Sequence, residues 1–110
     1  MEHRMKLVDF AFKLIKNKEK DIELRLNDEK RRLVNIGDTI VFTNIDTKEE
    51  LKVEVTNLYK YDTFEELFNN FDHKRFGINT EEDASCMDDF YTKEEQNKYG
   101  VLGIEIKLLK

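Results

Sequence analysis

Hydrophobic positions recur along this chain with two periods, two residues in some stretches and near 3.6 in others, and the switches between them mark the elements. Over Arg4 to Val8, Met5 and Leu7 alternate with polar neighbours, which predicts a short strand. Asp9 is placed to cap a helix over residues 10–17, where Phe10, Leu14 and Ile15 share helical spacing. From Asp21 to Leu26 the alternation is strict: Ile22, Leu24 and Leu26 face one way, Asp21, Glu23 and Arg25 the other. That pattern predicts a half-buried strand with a charged face that is either outermost or lines a cleft.

Residues 27–34 form a polar turn or short helix, and Gly37-Asp38 marks a tight turn. Thr39 to Asn44 predicts a strand, Asp46-Thr47-Lys48 a hairpin loop, and Leu51 to Tyr61 a longer strand. The alternation of that strand shifts near Asn57-Leu58, as a bulge would shift it. Thr63 and Glu66 have capping-box spacing, and Phe64, Leu67, Phe68 and Phe71 follow as a core-facing helical stripe. Residues 72–79 are expected as a loop. Thr80 is expected to cap a second short helix running to about Phe90, and Thr92 with Glu95 caps a third that stops at Tyr99-Gly100. Val101 to Leu109 is a last strand with Leu102, Ile104, Ile106 and Leu108 on one face. The order is that of a single α+β domain over residues 1–110, and short strands with a bulge suggest a sheet curled into a barrel; closure would pair the last strand with an early one, which periodicity alone does not establish.

Charge sharpens this picture. The net charge of −5 argues against duplex DNA as a partner, because phosphate neutralisation supplies most of that affinity. Residues 1–36 nevertheless carry ten Lys or Arg against seven Asp or Glu, so a local basic face is available. No stretch is long and apolar enough to span a membrane, and Met1 to Lys6 lacks a signal-peptide run. The single cysteine, Cys86, excludes an intrachain disulfide, and the expected location is cytoplasmic. His3, His73 and Cys86 have no metal-ligand spacing, and no glycine-rich phosphate loop is present, so neither metal nor cofactor is expected.

The candidate chemistry is densest from Lys20 to Arg31. Glu23 and Arg25 share a strand face, about 7 Å apart along it, and Lys20 can turn to the same side. Arg offers a planar fork to a phosphate, a carboxylate or a base edge, and Glu accepts from an exocyclic amine. A salt bridge on a solvated face has the same spacing. Tyr59, Tyr61, Tyr91 and Tyr99 could each present a ring to a base.

The stretch FKLIKNKEKDIELRLNDEKRRLVNIGDTIVFTN resembles the ASCH domain, whose signature is G-x-K-x-x-E-x-R followed by an RLNDEKR-like segment and a G-D turn. Lys20, Glu23 and Arg25 fall on its Lys, Glu and Arg. The tail YTKEEQNKYGVLGIEIKLL is similar to the family's C-terminal region, with Tyr91, Glu95, Tyr99 and Gly100 in place. The signature glycine falls at Lys18, so Asn17 is expected to take over the left-handed turn.

The resemblance implies a PUA-like β-barrel with flanking short helices and a cleft that binds RNA or a nucleotide. Lys20, Glu23 and Arg25 would line it, Lys30 or Arg31 would stand near its mouth, and Tyr91 or Tyr99 would form its wall. Some small bacterial members of that family resemble amidohydrolases that deacetylate N4-acetylcytidine with a lysine matching Lys20, a threonine nucleophile at the position of Glu23, and a later glutamate. Glu23 cannot replace that hydroxyl. An enzymatic reading would instead need Glu23 as a base, with Lys20 or Arg25 stabilising an oxyanion.

Overall fold

The computed structural model describes residues 1–78 and 84–109. Five strands form one curled sheet: β1 (Glu2–Leu7), β2 (Ile22–Leu26), β3 (Thr39–Asn44), β4 (Glu50–Tyr61) and β5 (Val101–Leu108). Their order across the sheet is β1-β3-β4-β5-β2. β1 runs parallel to β3, a pairing that requires the crossover supplied by the intervening α1 (Asp9–Lys16) and β2. The other pairs are antiparallel, and the last strand does lie beside an early one, Leu26 opposite Val101 and Ile22 opposite Glu105. The outermost strands are β1 and β2. A side chain bridges them, since Arg25 Nη2 donates to the Lys6 carbonyl at 2.9 Å.

Two apolar layers explain the alternation. The concave side of the half-barrel is filled by Met5, Leu7, Ile40, Phe42, Val53, Val55, Leu102, Ile104 and Ile106, closed by Phe12 and Ile15 of α1. The second layer lies on the opposite side of β2 and β5. Ile22, Leu24, Leu26 and Val101 pack there against Phe64, Leu67 and Phe68 of α2 (Phe64–Asn69). Gly103 permits that close approach: a Cβ there would stand 3.3 Å from both Ile22 and Leu67 side-chain carbons. The bulge in β4 falls between Val55 and Asn57 and reverses the parity of the strand. Val53 and Val55 point into the half-barrel before it. Leu58 packs on that same core after it, while Tyr59 and Tyr61 pack against the α2 layer.

Several local expectations need correction. Asp9 does not cap α1: Val8 is the N-cap residue, and Asp9 accepts from Asn44 Nδ2 at 2.9 Å and pairs with Lys13. Phe10, which shares helical spacing with Leu14 and Ile15, is 70% exposed; Phe12 and Ile15 carry the buried face. The left-handed residue after α1 is Lys18 itself, at φ 64°, while Asn17 stays at φ −86°. Two carbonyls of the helix end then accept from the turn, Leu14 from Glu19 and Lys20, and Ile15 from Lys18. A side chain in this region costs about 1 kcal/mol relative to glycine. Lys18→Gly is therefore expected to raise stability by about that amount in a denaturant titration, with no change in the amide spectrum of β2. An unchanged or lower midpoint would show that the turn is not strained.

Thr63 caps α2 by accepting from the Glu66 amide, one arm of a box; the reciprocal pair is found at Thr92 and Glu95, opening α3 (Lys93–Tyr99). The segment expected as a loop contains a 3-10 turn at His73–Phe76, and the segment expected as a second helix is a 3-10 turn at Ala84–Asp89. The proposed cap at Thr80 lies outside the described residues. Asp38 fixes the Gly37 turn by accepting from the Asn35 amide and from His3 at 2.8 Å. His3 and that amide hold the Asp38 carboxyl down at about 2. Among the described residues no helix is long and apolar enough to cross a membrane.

Candidate functional site

β2 is buried on both faces, and this places its charges. With Ile22, Leu24 and Leu26 committed to the α2 layer, the pleat turns Glu23 and Arg25 toward the other side, next to α1. Lys20 reaches the same spot from the turn after α1, its stem held by Gly77. That glycine has φ 77°, and a Cβ on it would meet Leu14 Cδ1 at 2.8 Å and Lys20 Cδ at 3.0 Å. The three side chains form a single buried cluster, Lys20 and Arg25 exposing 9% and 13% of their side chains and Glu23 only 5%.

Glu23 sits at the centre. Its Oε1 accepts from Lys20 Nζ at 2.9 Å and from the Leu24 amide at 3.1 Å. Its Oε2 accepts from Arg25 Nε at 3.0 Å and Nη2 at 2.9 Å. Burial alone would push this carboxyl up. The Lys20 ammonium and Arg25 guanidinium outweigh it and hold Glu23 at about 2, below the ordinary 4.5. The cluster thus carries one net positive charge at neutral pH. Both carboxylate oxygens have filled their usual capacity of two bonds each. Donors remain: among the described residues Arg25 Nη1 makes no hydrogen bond and Lys20 Nζ has Glu23 as its one partner.

The cluster lines a cleft of about 450 Å³. Leu14 and Phe10 of α1 line it too, as do Phe76 and Gly77, and Met87, Phe90 and Tyr91 from the segment leading into α3. Its lining is mostly apolar, with Lys6 and Asp89 as further charges. Tyr91 is half-buried, with its ring stacked 6.0 Å from Phe64. Burial raises its phenol, against the opposing pull of Arg25.

Of the residues singled out in the sequence, Lys20, Glu23, Arg25 and Tyr91 share this cleft. Arg31 does not line the cleft but is near enough to Tyr91 to bear on its ionisation, and is tied to Asp28 at 3.5 Å. Lys30 is exposed and does not line the cleft. Tyr99 lines a separate depression with Asn27 and Tyr61, its ring covered by Lys98 Nζ at 5.1 Å. Tyr59 is tied into the outer layer, donating to Glu105 at 2.9 Å and packing on Phe71. Sequence reasoning missed Phe10 and Phe90, which are 70% and 68% exposed and both line the cleft. The one available signal was that α1 carries more apolar residues than one core face needs.

A family model for the ASCH domain matches residues 5–110. The chain is similar to the hypothetical protein PH0355 in its crystal structure, at 36% identity and a TM-score of 0.87, covering 99% of this chain and 100% of that one. It is similar to protein PF0455 from Pyrococcus furiosus in its solution NMR structure, at 37% identity and a TM-score of 0.78, covering 100% and 99%. A mutant of ZmASCH from Zymomonas mobilis has the same fold at 16% identity and a TM-score of 0.57, covering 96% of this chain and 67% of that one. No curated protein matches. With a half-barrel of this topology and the family match over nearly its whole length, the chain belongs to the ASCH domain family, a PUA-like family often linked to RNA binding.

Proposed function

We propose that this ASCH domain binds a nucleotide or a short single strand of RNA by taking one base into the cleft over Lys20, Glu23 and Arg25. The observation that carries this reading is the placement of a buried, net-positive charge cluster on the floor of an apolar, aromatic-walled concavity. A cleft of about 450 Å³ is within the size range of small-molecule sites, whose few polar groups converge within apolar walls. Tyr91 supplies a wall and Arg31 a charge near it, while Lys30 and Tyr99 are not among the residues that line this cleft.

The hydrolytic reading fares worse. It needs Glu23 to take a proton from water, yet a carboxyl held at about 2 with both oxygens doubly engaged is a feeble base at neutral pH. Binding without turnover is the better fit.

Titration of short single-stranded RNAs and of free nucleosides, followed by amide shifts, tests the proposal. Shifts are expected first in β2, at Gly77 and at Tyr91. Affinity should fall only gently with salt, because an acidic domain with one basic cleft engages few phosphates. Tighter binding of duplex than of single strands, or shifts confined to the acidic remainder, would refute it.

A further inference from the structure

The hydrogen-bond inventory of the floor carries more than the existence of a site. Both Glu23 oxygens are filled from within the protein, so Glu23 has nothing left to offer an exocyclic amine. Of the cluster's own groups what remains is donors, the other Lys20 ammonium hydrogens and Arg25 Nη1, with Asp89 a further carboxylate on the lining. Glu23 thus orients its two cations and leaves recognition to them. A base edge set against Lys20 and Arg25 is rewarded when it is made of acceptors and penalised when it presents an N–H₂ group, which would be buried against other donors. Guanine presents two adjacent acceptors, O6 and N7, whereas adenine sets its N6 amine beside N7. Phosphate is also an acceptor, but its charge would be desolvated against Leu14, Phe76 and Met87 beside a cluster of only one net positive charge.

The rim supplies the second observation. Phe10 and Phe90 come from different elements, stand at the same cleft, and leave about two thirds of their surface in solvent. Neither belongs to either core layer. Exposed rings above a polar floor suit a flat heterocycle, since every base has a face on which an aromatic side chain can stack.

We infer that the cleft reads the acceptor edge of a base, guanine before uracil and adenine last, with Lys20 and Arg25 as the reading groups and Phe10 and Phe90 holding the ring at the rim. This rests on the nucleotide-binding reading above, and the experiment separates the two. Guanosine, 7-deazaguanosine, uridine, adenosine and inorganic phosphate are titrated in turn into the intact protein, with cleft amide shifts as readout. Guanosine should bind about tenfold or more tightly than adenosine, and loss of N7 should cost a comparable factor. Phe10→Ala and Phe90→Ala, at exposed positions that leave the core untouched, should each weaken guanosine about tenfold, with Trp at either position restoring it.

Adenosine binding as well as guanosine would overturn the edge reading and leave nucleotide binding standing. Phosphate perturbing the cleft as strongly as guanosine would replace a base site by an anion site. Unchanged affinity in both alanine variants would overturn the role of the rings. No shift with any nucleoside would overturn this inference together with the function it rests on.

Discussion

Glu23→Ala is expected to destabilise the protein by about 3–5 kcal/mol, enough to leave a small domain close to unfolding. The cause is what remains. Lys20 and Arg25 keep their buried positions, lose the carboxylate between them and face each other as like charges. An exposed pair such as Arg4–Glu50 offers the contrast, for its removal should cost under about 1 kcal/mol. Glu23→Gln keeps the shape and one acceptor but not the charge, and should fall between. Urea titration with unchanged m-value is the measurement, and a Glu23→Ala cost below about 1 kcal/mol would mean that the cluster is hydrated in solution. The same residue sets an acid limit. Its folded pKa of about 2 lies below the ordinary 4.5, so its contribution is complete above pH 4.5 and is lost as pH falls from there through about 2. Glu23→Gln should lack that part of the acid transition.

Phe68→Ala should cost about 3–5 kcal/mol. The ring is 3% exposed, stacks on Phe76 at 4.8 Å, meets His73 at a tilt with ring centres 5.0 Å apart, and belongs to the layer that covers the outer face of β2. Its loss should therefore be felt beyond the core. Phe76 and Gly77 line the cleft, and Gly77 backs the Lys20 stem, so a loosened 73–76 turn should also weaken ligand binding. A Phe68→Ala protein of near-normal stability would show that the α2 layer is dispensable. Normal binding in a destabilised variant would show that the layer does not brace the site.

Much of this architecture is legible in the sequence because simple periods govern it. β3, β5 and α2 announce themselves through alternation or an i, i+3, i+4 stripe, and the bulge in β4 appears as a break in parity. β2 shows where such reading stops. Alternating charge is the mark of a half-solvated strand, and the pattern of Asp21, Glu23 and Arg25 could not reveal that Glu23 is as buried as its apolar neighbours. Burial there depends on Lys20 folding back from the turn before the strand to join Arg25 on the carboxylate, which spacing permits but does not dictate. Phe10 illustrates the converse: helical spacing groups it with Leu14 and Ile15, but spacing cannot tell a core face from a cleft face. The turn at Lys18 was misplaced onto Asn17 because residue preference was weighed above the backbone geometry that the helix end imposes.

The order of strands across the sheet has a kinetic consequence. β3 and β4 meet across a short hairpin and can pair as soon as both are made. β2 must wait for β5, because Ile22 pairs with Glu105 and Leu26 with Val101, and about two thirds of the sequence lies between them. The loop that closes there is long, and its entropy is lost before any contact of β2 with its partner forms. Lys20, Glu23 and Arg25 therefore stay hydrated through most of folding and are desolvated together in a late step, after the rest of the sheet has formed. Substitutions in this cluster should accordingly speed unfolding far more than they slow folding, so that the site limits the lifetime of the native state and contributes little to the search for it.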